Sequence, residues 1–443
     1  MRIKQISVSG LFGIFDHVIP LNMDDRITVI HGPNGFGKTA MLRILNGLFN
    51  SRYSELRTIP FSKFCVEFDD DSNIEIIKNT DNSKEIENNF VFNFHDNNVD
   101  IINFKPKRRS DTENLLRILD DLIPGLERIS SRKWLYTPTQ ENLSLEEVLE
   151  RFSDLLPVKF QSEAEWLEKL KNNIHIRLIE SQRLLNLVPN LRLKFDDRTP
   201  TIESTVSAYS NELAKLMQDK FKEYGTISQS LDRSFPMRVV KQQSSPDLTD
   251  EHLRNQLKEL EETRSRLIEV GLLDQDEDSE FQIQPQDIDE STKNALSVYV
   301  EDVEKKLNVF NEIAIKINLL KRIINNKFSY KEINFSKEKG FIFTTLYNSS
   351  LSDSKILSPN DLSSGEQHEL VLLYELLFKV QPNSLVLIDE PELSLHVGWQ
   401  IQFLKDLQEI TKLANVDILI ATHSPDIIQD RWDLTVELKG TGK

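Results

Sequence analysis

The sequence predicts an α/β fold: a parallel-sheet head, split into two halves by a helical insertion that ends in a short antiparallel coiled-coil hairpin. Three observations carry this. A strand, Arg26-Ile27-Thr28-Val29-Ile30, runs into the glycine-rich turn Gly32-Pro33-Asn34-Gly35-Phe36-Gly37-Lys38-Thr39 and then into a helical pattern at Met41, Leu42, Ile44, Leu45 and Leu48. Far downstream, Leu385-Val386-Leu387-Ile388 and the run 416–420 are mostly apolar, as strands buried on both faces are. Between them, Leu296, Val300, Val303, Leu307, Phe310, Ala314, Ile317 and Ile324 step by four and three along a heptad, interrupted by Lys321.

The residue types of the glycine-rich turn define its chemistry. Gly32, Gly35 and Gly37 let the backbone close around an anion, with N–H groups turned inward at the positive end of the following helix. Pro33, Asn34 and Phe36 complete the wrap. Lys38 is placed to neutralise β and γ phosphates and Thr39 to set its hydroxyl on Mg²⁺, so ATP and Mg²⁺ are the expected cofactors.

The apolar run at 385–388 ends in Asp389-Glu390. Asp389 is expected to hold Mg²⁺ through water, and Glu390 to orient and deprotonate the attacking water. The pieces that follow keep a fixed order: Pro391-Glu392-Leu393-Ser394-Leu395-His396, a helix over 400–413, the strand 416–420, and Ala421-Thr422-His423-Ser424-Pro425. Upstream, Leu362-Ser363-Ser364-Gly365-Glu366 opens a helix over 367–378, whose N-terminal dipole suits a phosphate.

Taken together these motifs resemble the heads of ABC-type ATPases. The resemblance implies that 362–366 is the signature loop, with Ser363, Ser364, Gly365 and Glu366 reaching a nucleotide held by another subunit. It implies further that 391–396, with Ser394, is the D-loop facing that subunit, and that His423 is the switch histidine on the γ-phosphate. Lys38, Glu390 and His423 are therefore the candidate catalytic residues. The form Leu-Ser-Ser-Gly-Glu, the wide separation of the halves and the opening Arg2 to Ser9 followed by Gly10-Leu11-Phe12-Gly13-Ile14-Phe15 look like the SMC, RecF and OLD-type branch. For the switch glutamine, which would touch both ATP and Mg²⁺, the candidate is Gln182, at the end of a strand over 174–179. The other reading of Gln182 and Arg183 is an ordinary strand-exit turn.

The expected organisation is a first head half at 1–104, a small helical insertion at 105–172, a head strand with Gln182 at 173–204, a helical and coiled-coil arm at 205–327, and the second head half at 328–443. Within the arm a long helix is expected over 287–326. Its antiparallel partner is expected over 247–272, where Leu253, Leu257, Leu260 and Leu267 form a seam, with 274–285 as the tip. Asp274, Asp276 and Asp278 at the tip fail the calcium-loop pattern, because Ser279 and Pro285 stand where Gly and Glu are needed; the segment reads as a solvated acidic turn.

Composition narrows the partners. The 54 basic and 71 acidic residues give a net charge of -17, which repels nucleic acid on average, so nucleic acid is a possible but disfavoured partner. Lys105, Lys107, Arg108 and Arg109 form the one compact basic run, either a solvated face or a local contact for nucleic acid or an acidic protein. The lone cysteine, Cys65, excludes an internal disulfide and fits a reducing compartment. No run is long and apolar enough for a membrane span, and the expectation is a cytoplasmic protein.

With residues 424–443 following His423, the TOPRIM nuclease that follows the head in OLD-type enzymes is not expected on this chain. Within its branch the chain is most similar to the ATPase subunit of PARIS-type two-component anti-phage systems, on Ser9 to Phe15, the phosphate turn and 362–366. That resemblance implies an ATPase that assembles with itself, as a head-to-head dimer or larger, holds a separate TOPRIM-type nuclease effector inactive, and releases it on sensing a phage-encoded trigger protein. The alternative is a RecF/SMC-like DNA-repair ATPase.

Overall fold

The computed structural model describes the chain apart from residues 79–89, 97–98, 105–106, 109–118, 120–122, 124, 131–132, 138–139, 153–160, 163–164, 181–187, 190–201, 243–248, 275–288, 347–355 and 441–443. The described residues form two units, Met1–Thr205 with Val371–Lys443, and Val206–Leu370.

The first unit holds a parallel sheet in the order Ile176–Ile179, Leu385–Asp389, Asp417–Ala421, Ile27–His31, Thr435–Glu437. The middle strands are apolar because both faces are covered: every residue of Leu385–Asp389 is buried. A second, antiparallel sheet runs Phe15–Pro20, Ile3–Leu11, Lys63–Phe68, Asn73–Lys78, Phe90–Asp96, Val99–Phe104. The helix Lys38–Phe49 serves both sheets. Its Met41, Leu42, Ile44, Leu45 and Leu48 share one buried cluster with Ile30, Leu387 and Leu419 of the parallel sheet and with Ile6, Val8, Phe64, Val66 and Ile76 of the antiparallel one. Burial of this kind stabilises by roughly 1.5–3 kcal/mol per large apolar side chain, and it anchors the residue that starts the helix, Lys38.

The segment 105–172, expected to be helical, is mixed. Leu126–Ser130, Lys133–Tyr136 and Glu141–Ser144 form an antiparallel meander. Ser144 and Glu147 then make a reciprocal capping box that starts the helix Leu145–Arg151. Trp134, Tyr136, Leu143, Val148 and Phe152 close a small core of their own. Strands this short carry too little alternation to outvote the Leu- and Glu-rich residues around them.

In the second unit the helix Thr205–Lys241 runs antiparallel to Glu290–Asn308 and Asn311–Lys327. Arg238 grips Asp302 with both terminal nitrogens, Lys306 reaches Asp232 at 2.7 Å, and the Tyr224 and Phe310 rings lie 5.3 Å apart. The helix Asp250–Glu269, expected to be the antiparallel partner, instead runs the same way as 290–327: Asp250 pairs with Lys293 and Glu269 with Lys321. The antiparallel arrangement is therefore present, with 205–241 in the role assigned to 247–272. The leucine seam of 250–269 marks a buried face, and a buried face does not record direction. The long heptad is also broken once, at Val309-Phe310, where the Phe310 N–H donates to Leu307 O three residues back. No Gly or Pro marks that place in the sequence. Of the proposed tip, only Asp274 lies among the described residues; it pairs with Lys337.

Candidate functional site

In the first unit Ile27–His31, Asp417–Ala421 and Leu385–Asp389 are adjacent and parallel, so the segments that leave them emerge at one edge of the sheet. The turn after Ile27–His31 passes through Gly32, Gly35 and Gly37 with φ of 150°, 82° and 89°. Gly37 has a second reason to be glycine: a Cβ there would lie 2.3 Å from Cδ2 of Leu11, which is fully buried. Pro33, Asn34 and Gly35 are exposed, while Lys38, the first helical residue, is buried. The Phe36 carbonyl accepts from His17 Nε2 at 2.9 Å, and the Phe36 ring packs on Phe15 at 5.1 Å, so the antiparallel sheet holds the outer side of the turn.

Lys38 Nζ donates to Gly32 O at 2.7 Å, Pro33 O at 3.1 Å and His423 Nδ1 at 3.2 Å. An ammonium has three donors and no acceptor, so His423 Nδ1 accepts and the ring proton sits on Nε2. That Nε2 lies 3.7 Å from Glu390 Oε1. Thr39 Oγ1 donates to Asp389 Oδ1 at 2.9 Å. Burial pushes the Asp389 carboxyl up to about 6; the Thr39 bond pulls it down, and the neighbouring charge of Glu390 pushes it further up. Burial likewise lowers Lys38, against the opposing attraction of Glu390, Glu392 and Asp389. Glu390 itself has φ 44° and ψ 58°, a left-handed conformation that costs a non-glycine residue roughly 1–2 kcal/mol, and its backbone N–H is fixed by Ala421 O at 2.9 Å.

Two further side chains shape this edge and had no distinct role in the sequence. Glu392 accepts from the His423 N–H at 2.6 Å and from Thr422 Oγ1 at 2.8 Å. Gln400 donates to Leu395 O at 3.2 Å and accepts from Ser424 Oγ at 2.7 Å. Together they tie the turn Pro391–Ser394 to the residues after Ala421. A carboxylate two residues after Glu390 was visible, but nothing in the spacing said which backbone it would cap.

The residues brought together here are thus Gly32 to Thr39, Asp389, Glu390 and His423. Ser394 ends the turn Pro391–Ser394. Gln182 lies outside the described residues. The set fits Mg²⁺ with a nucleotide: a hydroxyl and a carboxylate, both hard oxygen donors, sit in contact beside a cradle of left-handed glycines, and Mg²⁺ takes its remaining ligands from phosphate and water.

Ser363 to Glu366 belong to the second unit. Leu362 is buried and anchors the loop, whereas Ser363 and Ser364 are exposed at the start of the helix Ser364–Tyr374. Gln367 donates to Leu362 O at 2.8 Å. Glu366 accepts from the Ser363 N–H at 2.8 Å and from Ser363 Oγ at 2.9 Å, and Lys331 Nζ sits 2.8 and 2.7 Å from its two oxygens.

Comparison with known proteins adds the following. The AAA_15 model, an AAA ATPase domain, matches residues 1–428. Septu protein PtuA of Bacillus thuringiensis is 27% identical over 150 residues, 30% of this chain and 37% of PtuA. Protein ea59 of Escherichia phage lambda is 39% identical over 69 residues, 16% of this chain and 13% of ea59. The chain thus matches well under half the length of either relative. Among solved structures, the Smc head domain of Pyrococcus furiosus bound to the C-terminal domain of ScpA is 13% identical with a TM-score of 0.34, covering 96% of this chain and 91% of that one. The SmcHead bound to the C-winged helix domain of ScpA is 10% identical with a TM-score of 0.37, covering 100% and 98%. The SMC head domain of Thermotoga maritima gives 11%, 0.32, 97% and 92%.

Proposed function

The chain belongs to the AAA ATPase domain family, and from that premise we propose that it is the ATP-hydrolysing control subunit of an anti-phage defence assembly. The observation that supports the ATPase core best is the convergence of Lys38, Thr39, Asp389, Glu390 and His423 at one sheet edge. Gly32 to Gly37 wrap the phosphates, and Lys38 leaves its carbonyl and imidazole partners to neutralise them. Thr39 and Asp389 would hold Mg²⁺, which would supply charge neutralisation for the phosphates. Glu390 orients and takes the proton of the attacking water, and His423, released at Nδ1 when Lys38 turns to the phosphates, presents the proton on Nε2. Ser363 to Glu366 complete the site from a second copy of the chain, with Ser394 and Gln182 as further nucleotide contacts, Gln182 also on Mg²⁺.

The defence role rests on the motif resemblance to PARIS-type ATPase subunits and on the stretch shared with Septu protein PtuA. In this reading a separate nuclease, of TOPRIM type, is the effector and a phage-encoded protein the trigger. Among the described residues no helix is long and apolar enough to cross a membrane. The test is co-expression of the tagged chain with its genomic neighbour, followed by sizing chromatography and mass spectrometry with and without ATP, on wild type and Glu390→Gln. A stoichiometric nuclease on an ATPase oligomer, with ATP retained in Glu390→Gln, is expected. A lone ATPase that captures DNA in a salt-sensitive manner moves the assignment to repair, and an unchanged turnover rate in Glu390→Gln removes the role given to that residue.

A further inference from the structure

The signature loop carries an anion at the place where an anion is due to arrive. Glu366 is buried directly beneath the exposed Ser363 and Ser364, and its Oε2 takes both the backbone N–H and the hydroxyl proton of Ser363. As a helix cap this is favourable. As a receptor for a γ-phosphate it is not, since a carboxylate within a few ångströms repels the phosphate and competes for the same serine donor.

The compensation comes from outside the loop. Lys331, the first residue of the strand Lys331–Ser336, puts Nζ on both Glu366 oxygens at 2.8 and 2.7 Å, with side-chain exposures of only 22% and 11%. Glu366 is held below the usual carboxylate range against the upward push of its burial, chiefly by Lys331 and then by Ser363, so the carboxylate is ionised and its charge must be met. Four residues earlier, at the last position of the helix Asn311–Lys327, Lys327 pairs with Glu369 in complete burial. Two lysines four residues apart, at the end of the helix Asn311–Lys327 and the start of the next strand, therefore grip two glutamates three residues apart on the signature helix.

We propose that Lys331 is a positioning residue for ATP hydrolysis: by neutralising Glu366 it removes the repulsion this carboxylate would exert at the exposed Ser363-Ser364 end of the helix, where the γ-phosphate of a nucleotide held by a second copy of the chain arrives. The inference rests on the signature-loop role given above. A residue that merely supported the helix cap would be replaceable by any hydrogen-bond donor. Lys331 acts through its charge.

The experiment compares Lys331→Met, Lys331→Gln and Lys331→Arg with wild type for ATP affinity, kcat and ATP-dependent association, with Ser363→Arg as the control for the loop itself. Lys331→Met is expected to lose about tenfold or more in kcat while ATP affinity stays within about twofold, because an unmet charge opposes the assembled state and not the Lys38 cradle. Lys331→Arg retains turnover. Lys331→Gln, which keeps a donor for Glu366 without the charge, loses turnover like Met and serves as the reading where Lys331→Met does not fold. Full kcat in Lys331→Gln overturns the proposal while leaving the loop assignment intact, provided Ser363→Arg is inactive. Full turnover in Ser363→Arg, or none in wild type, overturns the loop reading and this inference with it.

Discussion

Lys38 Nζ lies 3.2 Å from His423 Nδ1, joining the start of the first helix to the loop after Ala421. With Gly32 O and Pro33 O it fills all three ammonium donors. Nucleotide must therefore displace these partners, and the two residues should fail differently. Lys38→Ala is expected to abolish ATP binding in a filter or fluorescence assay, since it removes the one cation of the phosphate turn. His423→Ala should bind ATP within about threefold of wild type and lose about 10²-fold in kcat, the usual scale for a group acting on proton transfer. A His423→Ala protein that loses affinity and kcat equally contradicts this division.

Asp389 gives a pH signature. Its folded carboxyl, at about 6, lies above its ordinary value of 3.8, so the folded state holds the proton more tightly than the unfolded one. Stability attributable to this group is full below about 4 and is lost as pH rises to about 6, by at most about 3 kcal/mol. Asp389→Asn should accordingly melt higher than wild type at pH 7 and equal to it near pH 4. Mg²⁺-dependent nucleotide binding needs the ionised form and should weaken in wild type as pH falls through 6. Equal melting temperatures at pH 7 would refute the burial argument.

The glycines of the cradle are not equivalent. Alanine at Gly35 meets no atom within 4 Å and bears only the cost of a left-handed φ, roughly 1–2 kcal/mol. Alanine at Gly37 carries the same backbone cost and also drives into buried Leu11. Chemical denaturation should rank Gly37→Ala below Gly35→Ala by at least about 1 kcal/mol. The reverse order would show that the Leu11 contact relaxes freely.

Lys327 and Glu369 form an ion pair with side-chain exposures of 1% and 0%. Removing one partner leaves the other charge buried, so Lys327→Met is expected to cost about 3–5 kcal/mol in urea unfolding. The double substitution Lys327→Met with Glu369→Leu should recover most of that loss. A double variant no better than the single one would mean that packing, and not charge, is what Lys327 supplies.

Much of this site was legible as text because its chemistry is local. The strand at 26–30, the turn to Thr39, the buried run ending in Asp389-Glu390 and the loop after Ala421 each carry their meaning within a few residues, since glycine torsions, burial of a parallel strand and a terminal carboxylate are set by neighbours along the chain. What depends on partners distant in sequence was not legible. Glu392 accepting from the His423 backbone N–H, Lys331 meeting Glu366 and Lys327 meeting Glu369 all use side-chain types that are common everywhere, and only the folded chain selects which partner each one meets. The helix 250–269 makes the same point for the fold: its leucines declared a buried face, yet its direction against 290–308 followed from where the tertiary structure put Asp250 beside Lys293. Hydrophobic spacing fixes which side of an element is hidden; which element hides it, and from which end, is decided by packing across the whole unit.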